Sequence, residues 1–367
     1  IDSVFQLINA FNIAYQKFPN DKITIIIKSN KKKVFNINLL NRNKFVENII
    51  FTNKRYENHI EEILWQIKSV FFSKNATKDM FNKDFVNMNV IAIIASITWL
   101  PLLSPIYRSF SKVKKVYLVE EGLGTYVKQE NMLLNASILG KIKHVLLRRQ
   151  ELVNNSVFWF MMPEYMRNNR INYQKMPQFS TNSHFTDAVI GFFGEKKEIN
   201  PFDHSKYIYF DQIFYNSKHD KISIKLIEEH IALVKEILLK NGNTIIKAHP
   251  RHLTDDRYKY NEYTTAIPWE AISLSIDLNN KVLVSITSTS LVTPKIMVDK
   301  EPVVICLIKI FKDYITPFLS ADGHKEIDNI ISFFYHVKRT YNDPSRFKIP
   351  ETINELQKII ESLDNNL

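Results

Sequence analysis

Apolar and polar positions along the chain alternate between a helical and a strand period. Residues 3–17, Ser-Val-Phe-Gln-Leu-Ile-Asn-Ala-Phe-Asn-Ile-Ala-Tyr-Gln-Lys, carry apolar side chains at helical spacing, with Ser3 placed to cap the first turn. The β-prone run Ile23–Ile27 follows. The unit then repeats loosely: helix near Asn41–Val46, strand Asn48–Phe51, helix Glu57–Phe72, strand Val90–Ile94, a segment Ser96–Phe110 in which Pro101 and Pro105 should interrupt the helix, and strand Val116–Val119. Leu134–Arg149 reads as a helix, and the aromatic stretch Val157–Phe160 with Pro163 leaves it. Because the chain opens directly on a helical pattern, a strand is expected upstream of Ile1.

Between about Asn168 and Asp187 the pattern dissolves into polar residues with Pro177, Ser180, Asn182 and Ser183, which marks a domain boundary. A second series starts with strand Ala188–Phe193 and Tyr207–Phe214, then a long helix Ile222–Lys240 and strand Thr244–Ala248. Pro268-Trp269-Glu270 opens a short helical segment, Val282–Ile286 is a strand, Ser288-Thr289 start a helix, and Val303–Ile308 is a strand. Helices Lys325–Lys338 and Thr352–Leu363 finish the chain. Strands alternating with helices predict an α/β fold with parallel, helix-covered sheets. The expected domains are 1–180, 181–345 and a C-terminal helical segment 346–367.

The run Val116-Tyr117-Leu118-Val119 is apolar without alternation, as in a parallel strand buried on both faces, and it stops at Glu120-Glu121. Two adjacent carboxylates belong past the carboxyl edge of such a sheet, where open α/β sheets bind ligands. Gly122 and Gly124 bend the chain there, and with only 7 glycines in 367 residues a pair two positions apart points to a demanding backbone. The alternative is a βα turn whose acids cap the next helix.

Composition narrows the partners. The chain carries 49 Lys plus Arg against 38 Asp plus Glu, a net charge of +11, which favours an anionic partner: nucleic acid, a membrane surface or an acidic polymer. The only cysteine, Cys306, excludes an internal disulfide and a multi-cysteine metal site and favours a reducing compartment. No uninterrupted apolar stretch reaches the length of a spanning helix, and no basic-then-apolar secretory signal opens the chain.

Two further stretches can carry chemistry at a sheet's carboxyl edge. Strand Thr244–Ala248 runs into His249-Pro250, with Lys247 and Arg251 beside the imidazole, an electropositive spot suited to phosphate. Strand Val282–Ile286 leads into Thr287-Ser288-Thr289-Ser290, hydroxyls where a helix would begin and phosphate could sit, or simply a cap with spare hydroxyls. Glu270, between them in sequence, could accept from a ribose. The chain lacks a Walker loop, a Gly-x-Gly-x-x-Gly after a strand, an Asp-x-Asp pair and any zinc spacing, so no metal is expected.

Taken together, Glu120-Glu121-Gly122, His249-Pro250 and Ser288-Thr289 resemble the three short motifs of bacterial sialyltransferases, in order and in the long gap between the first two. The opening Ser-Val-Phe-Gln-Leu-Ile-Asn-Ala resembles their first helix, and Ile267-Pro268-Trp269-Glu270 their Pro-x-Glu segment. Capsular polysialyltransferases are the nearest resemblance, lipooligosaccharide sialyltransferases the second. The resemblance implies a GT-B architecture, two Rossmann-like domains facing across a cleft, with CMP-sialic acid held C-terminally and the acceptor mainly N-terminally. It implies inversion without metal or other cofactor. Glu120 is then the general base, and Glu121, the other acid of the catalytic pair, orients the turn. His249 assists departure of CMP, and Lys247, Pro250, Glu270, Ser288, Thr289 and Gly122 complete the donor site. Lys114, Lys115, Lys141, Lys143, Arg148 and Arg149 are expected to hold an anionic oligo- or polysialic acid acceptor. The implied setting is cytoplasmic, peripheral at the inner membrane, with capsule-assembly proteins as further partners and no nucleic acid. The rivals are a single-addition lipooligosaccharide sialyltransferase and a nucleotide-fold protein that binds an anionic polymer.

Overall fold

The computed structural model describes residues 1–52, 61, 64–65, 68–69, 71–81, 88–97, 100–110, 113, 115–127, 149–166, 171, 173–212, 221–240, 242–248, 261–316 and 323–365. The chain forms two compact units, Ile1–Phe193 and Gly194–Leu367, and among the described residues all strand pairings within them are parallel. This is the expected α/β class in two Rossmann-like units.

In the first unit, α1 (Val4–Lys17) starts where Ser3 Oγ accepts the Gln6 N–H at 3.3 Å. β1 (Ile23–Ile27) pairs with β2 (Val46–Phe51), and α2 (Ile37–Arg42) between them lies a turn earlier than its apolar pattern suggests, because Asn36 caps it at Leu39. After α3 (Ser73–Met80), a second sheet runs β3 (Ala92–Ser96), β4 (Lys115–Val119), β5 (Ser156–Phe160) and β6 (Tyr173–Lys175) in that spatial order. A cavity of about 770 Å³ has Ile23–Ile26 of β1 and Ala92–Ala95 of β3 in its lining, with Leu7, Phe11 and Ala14 of α1.

Several expectations are corrected here. The segment 96–110 holds one unbroken helix, α4 (Leu100–Ser109): Pro101 occupies its second position, where no intrahelical N–H is needed, and Pro105 costs a single bond. Residues 188–193 are not a strand. Asn182 accepts the Phe185 N–H at 2.8 Å and starts α7 (Ser183–Gly191) after α5 (Leu123–Val127) and α6 (Arg149–Asn154). Its face Phe185, Val189, Ile190 is buried, with Phe185 stacked on Phe11 of α1 at 5.4 Å. A short apolar run reads equally as strand or helix, and the cap decides it. This helix joins the first unit, so the division between units falls after Phe193. Most of the stretches expected as helices, 57–72 and 134–149, lies outside the described residues.

Among its described residues the second unit has one sheet of six strands: β7 (Tyr207–Phe210), β8 (Thr244–Lys247), β9 (Glu262–Tyr263), β10 (Val282–Ser285), β11 (Val303–Cys306) and β12 (Phe347–Lys348), in the spatial order β12-β11-β10-β7-β8-β9. Counted within the unit, that is the doubly wound order 3-2-1-4-5-6, whose connections reverse direction between the first and fourth strands. Here those are β7 and β10, paired in register Val282↔Tyr207 to Val284↔Tyr209. β7 ends at Phe210, four residues short of its expected end. The segment from Ser288 is a single 3-10 turn, Thr289–Leu291, followed by a six-residue helix Thr293–Val298, because Pro294 restarts the chain. The C-terminal helix Ile353–Asn365 is tied into this unit, with Lys206 and Tyr207 on Asp364, the latter at 2.7 Å.

Candidate functional site

In the first unit, β4 buries Val116–Val119 and delivers the two acids at its carboxyl end. Gly122 has φ +94°, a left-handed conformation that a side chain resists, and this turns the chain into α5. The turn is braced by Thr125 N–H to Gly122 O and Glu121 N–H to Thr125 Oγ1, each at 2.9 Å.

The turn sends the neighbouring carboxylates to different surroundings. Glu120 is completely buried: its Oε2 accepts the Met161 N–H at 2.8 Å and the Tyr126 hydroxyl, while its buried Oε1 accepts from no described residue. Tyr126 in turn accepts the Met162 N–H at 3.0 Å, so Tyr126 of α5 and the two residues after β5 clamp this side chain together. Burial pushes the Glu120 carboxyl up to about 7; the Tyr126 and Met161 bonds oppose the rise, and the charge of Glu164 adds to it. Tyr126, buried beside that carboxylate, is raised well above its ordinary range. Glu121 is half-buried and points the other way: its Oε1 accepts Gln6 Nε2 of α1 at 2.6 Å and the Ser96 hydroxyl at the end of β3. Gln6 is itself held, its Oε1 accepting the Asp2 N–H at 2.7 Å.

In the second unit, the residues after β7 and β10 meet at the point where the sheet reverses its winding, the usual ligand crevice of such a sheet. Gln212 Oε1 accepts the Thr287 N–H at 2.8 Å and lies 3.0 Å from Ser285 Oγ, while its Nε2 donates to Thr287 Oγ1 at 3.1 Å. Thr287, Ser288, Thr289 and Ser290 are all half-exposed. Ser288 Oγ accepts the Ser290 N–H at 3.2 Å, and Trp269 Nε1 donates to Ser290 O at 2.8 Å, so the start of the helix Trp269–Ser275 touches the same turn. Glu270 follows Trp269. Burial raises its carboxyl and lowers the Lys247 ammonium at the end of β8, and the opposite charges of the two partly offset both shifts.

The expected donor residues Lys247, Glu270, Ser288 and Thr289 therefore collect at the carboxyl edge of one sheet. His249 and Pro250 lie outside the described residues, as do Lys114, Lys141, Lys143, Arg148 and the side chain of Arg149. Lys115 is exposed but opens β4 at its amino end, about 16 Å from Glu120 at the usual strand rise. That is the opposite edge of the sheet from the acids. Gln6, Tyr126 and Gln212 escaped the sequence reading. The one local hint was Asp211-Gln212, polar residues directly after an apolar strand.

A family model described as alpha-2,8-polysialyltransferase (POLYST) matches residues 1–307. No curated protein matches the chain. Among solved structures, a Listeria monocytogenes protein described as a candidate UDP-N-acetylglucosamine 2-epimerase is similar at a TM-score of 0.44 and 12% identity, covering 99% of this chain and 93% of that one.

Proposed function

The chain belongs to the alpha-2,8-polysialyltransferase family, and from that premise we propose that it moves sialic acid from CMP-sialic acid to the non-reducing end of an oligo- or polysialic acid, with inversion and without metal, in capsule synthesis at the inner membrane. The observation that carries the reading is the hydroxyl turn Thr287–Ser290 at the reversal point of the second sheet, joined by Trp269 to the segment bearing Glu270. In the reaction, a carboxylate takes the proton from the acceptor hydroxyl and the freed oxygen forms a bond to the anomeric carbon. The bond from that carbon to the phosphate oxygen breaks on the opposite face, and its electron pair leaves with CMP. Ser288 and Thr289 hydrogen-bond the departing phosphate, Lys247 and His249 supply positive charge or a proton there, and Glu270 accepts from the ribose.

Within the acidic pair, accessibility supports Glu121 as the base, the reverse of the assignment expected from the motif. Glu121 is half-exposed and aimed by Gln6 and Ser96, whereas Glu120 is sealed beneath Tyr126 and Met161. A second reading keeps Glu120 as the base, favoured by its pKa of about 7, which suits proton transfer at neutral pH. The net charge of +11 fits a polyanionic acceptor. Among the described residues no helix is long and apolar enough to cross a membrane.

The test is turnover of CMP-sialic acid onto a short oligosialic acid in the presence of excess chelator. Release of CMP with elongated product is expected. Elongation of a neutral galactoside by one residue only would favour the single-addition sialyltransferase, and donor binding with no transfer to any acceptor would favour the polymer-binding rival.

A further inference from the structure

The sequence motifs leave out the residue that joins the two strands at the reversal point. Gln212 follows β7, while its side chain's two partners, Ser285 and Thr287, lie on and after β10, more than seventy positions further along the chain. A backbone N–H can only donate, so the amide must turn its oxygen toward Thr287 N and its nitrogen toward Thr287 Oγ1. One planar group thereby fixes both the backbone and the hydroxyl of Thr287. Ser285, fully buried, closes the same knot from below, its Oγ lying 2.9 Å from Phe210 O at the end of β7. The next two residues in the chain are Ser288 and Thr289.

We propose that Gln212 is a positioning residue of the donor site, whose carboxamide ties β7 to β10 and holds the Thr287–Ser290 turn in the form that takes the CMP phosphate. The inference rests on the assignment of Ser288 and Thr289 to that phosphate. It adds a requirement for a neutral amide at position 212. The oxygen alone would hold the Thr287 N–H, and a carboxylate supplies that oxygen, but it also places a negative charge one residue from the phosphate-binding hydroxyls and removes the donor to Thr287 Oγ1. Shape and charge are thus separable by substitution.

The experiment titrates CMP into the full chain, into Gln212→Glu, Gln212→Met and the double variant Ser288→Ala/Thr289→Val, and into the triple variant that adds Gln212→Met to the double one, with melting temperatures measured alongside. Gln212→Glu should fold as well as the parent because Thr287 N–H and the Ser285 hydroxyl keep an acceptor. Its CMP affinity should nevertheless fall about 100-fold at low salt, with part of the loss recovered at high salt as the repulsion is screened. Gln212→Met should lose about 10-fold, independent of salt, and should add little to the loss already present in Ser288→Ala/Thr289→Val, since it acts through the same turn. A folded Gln212→Glu with unchanged CMP affinity overturns the proposal, as does a full, additive loss from Gln212→Met in the double-variant background. If Ser288→Ala/Thr289→Val itself binds CMP normally, the phosphate assignment fails before the role of Gln212 is reached. If that variant is weakened while both Gln212 variants are not, only the positioning role falls.

Discussion

The two candidate turns are built from opposite materials although both follow a parallel strand. The first unit ends β4 in two acids and buries one of them completely, at a cost the fold carries in the raised pKa of Glu120. The second unit ends β10 in hydroxyls and fastens them with an uncharged amide. A base has to be able to gain a proton, so its turn must hold ionisable groups in a controlled environment; a phosphate site needs donors aimed in advance, which neutral groups supply without desolvating a charge. On the proposed mechanism, the difference between the turns is a difference between proton transfer and anion binding.

The largest expected effect would separate those two tasks. Glu121→Gln should lower turnover about 10²–10⁴-fold, the usual range for removing a general base, while CMP affinity in a titration stays within twofold. Glu120→Gln should cost less turnover. If Glu120→Gln is the inactive variant and Glu121→Gln is active, the base is the buried member and accessibility is the wrong guide. The converse variant, Ser288→Ala/Thr289→Val, should weaken CMP binding about 10-fold or more. Equal losses of binding from both turns would erase the comparison.

A smaller effect tests the cost of burying Glu120. Its carboxyl titrates near 4.5 ordinarily and near 7 in the fold. The folded state therefore holds this proton more tightly, so the contribution to stability is intact below pH 4.5 and is lost as pH rises to 7 and above. That displacement corresponds to on the order of 3 kcal/mol. Glu120→Gln, permanently neutral, should melt above the parent by several degrees at pH 8 and close to it at pH 4.5. A variant that melts below the parent at both pH values would mean that the Tyr126 and Met161 bonds, not the charge, dominate this position.

The C-terminal edge of β4 is legible in the sequence because the unbroken apolar run and the abrupt Glu120-Glu121-Gly122 stop are local facts. The same holds for strands Ile23–Ile27 and Val282–Ser285 and for the cap at Ser3. Residues 188–193 misled because so short an apolar cluster has no period of its own, and the Asn182 cap outweighed its strand character. The two prolines of α4 misled in the other direction: Pro101 stands in the first turn, where no intrahelical N–H is needed, and Pro105 removes one bond without ending the helix.

What the chain alone determined is the alternation of buried strands and amphipathic helices, the acids and hydroxyls at strand ends, and the charge that asks for an anionic partner. These depend on neighbours within a few residues, and side-chain chemistry and backbone preference act over that range. The tertiary structure decided which acid is buried and which is reachable, that Gln6 and Ser96 aim Glu121, and that Gln212 clasps Thr287. Those partners lie from 25 to 115 positions apart in the chain. They meet because the order of strands in a sheet, set by how whole elements pack, brings together loop ends that no local pattern connects.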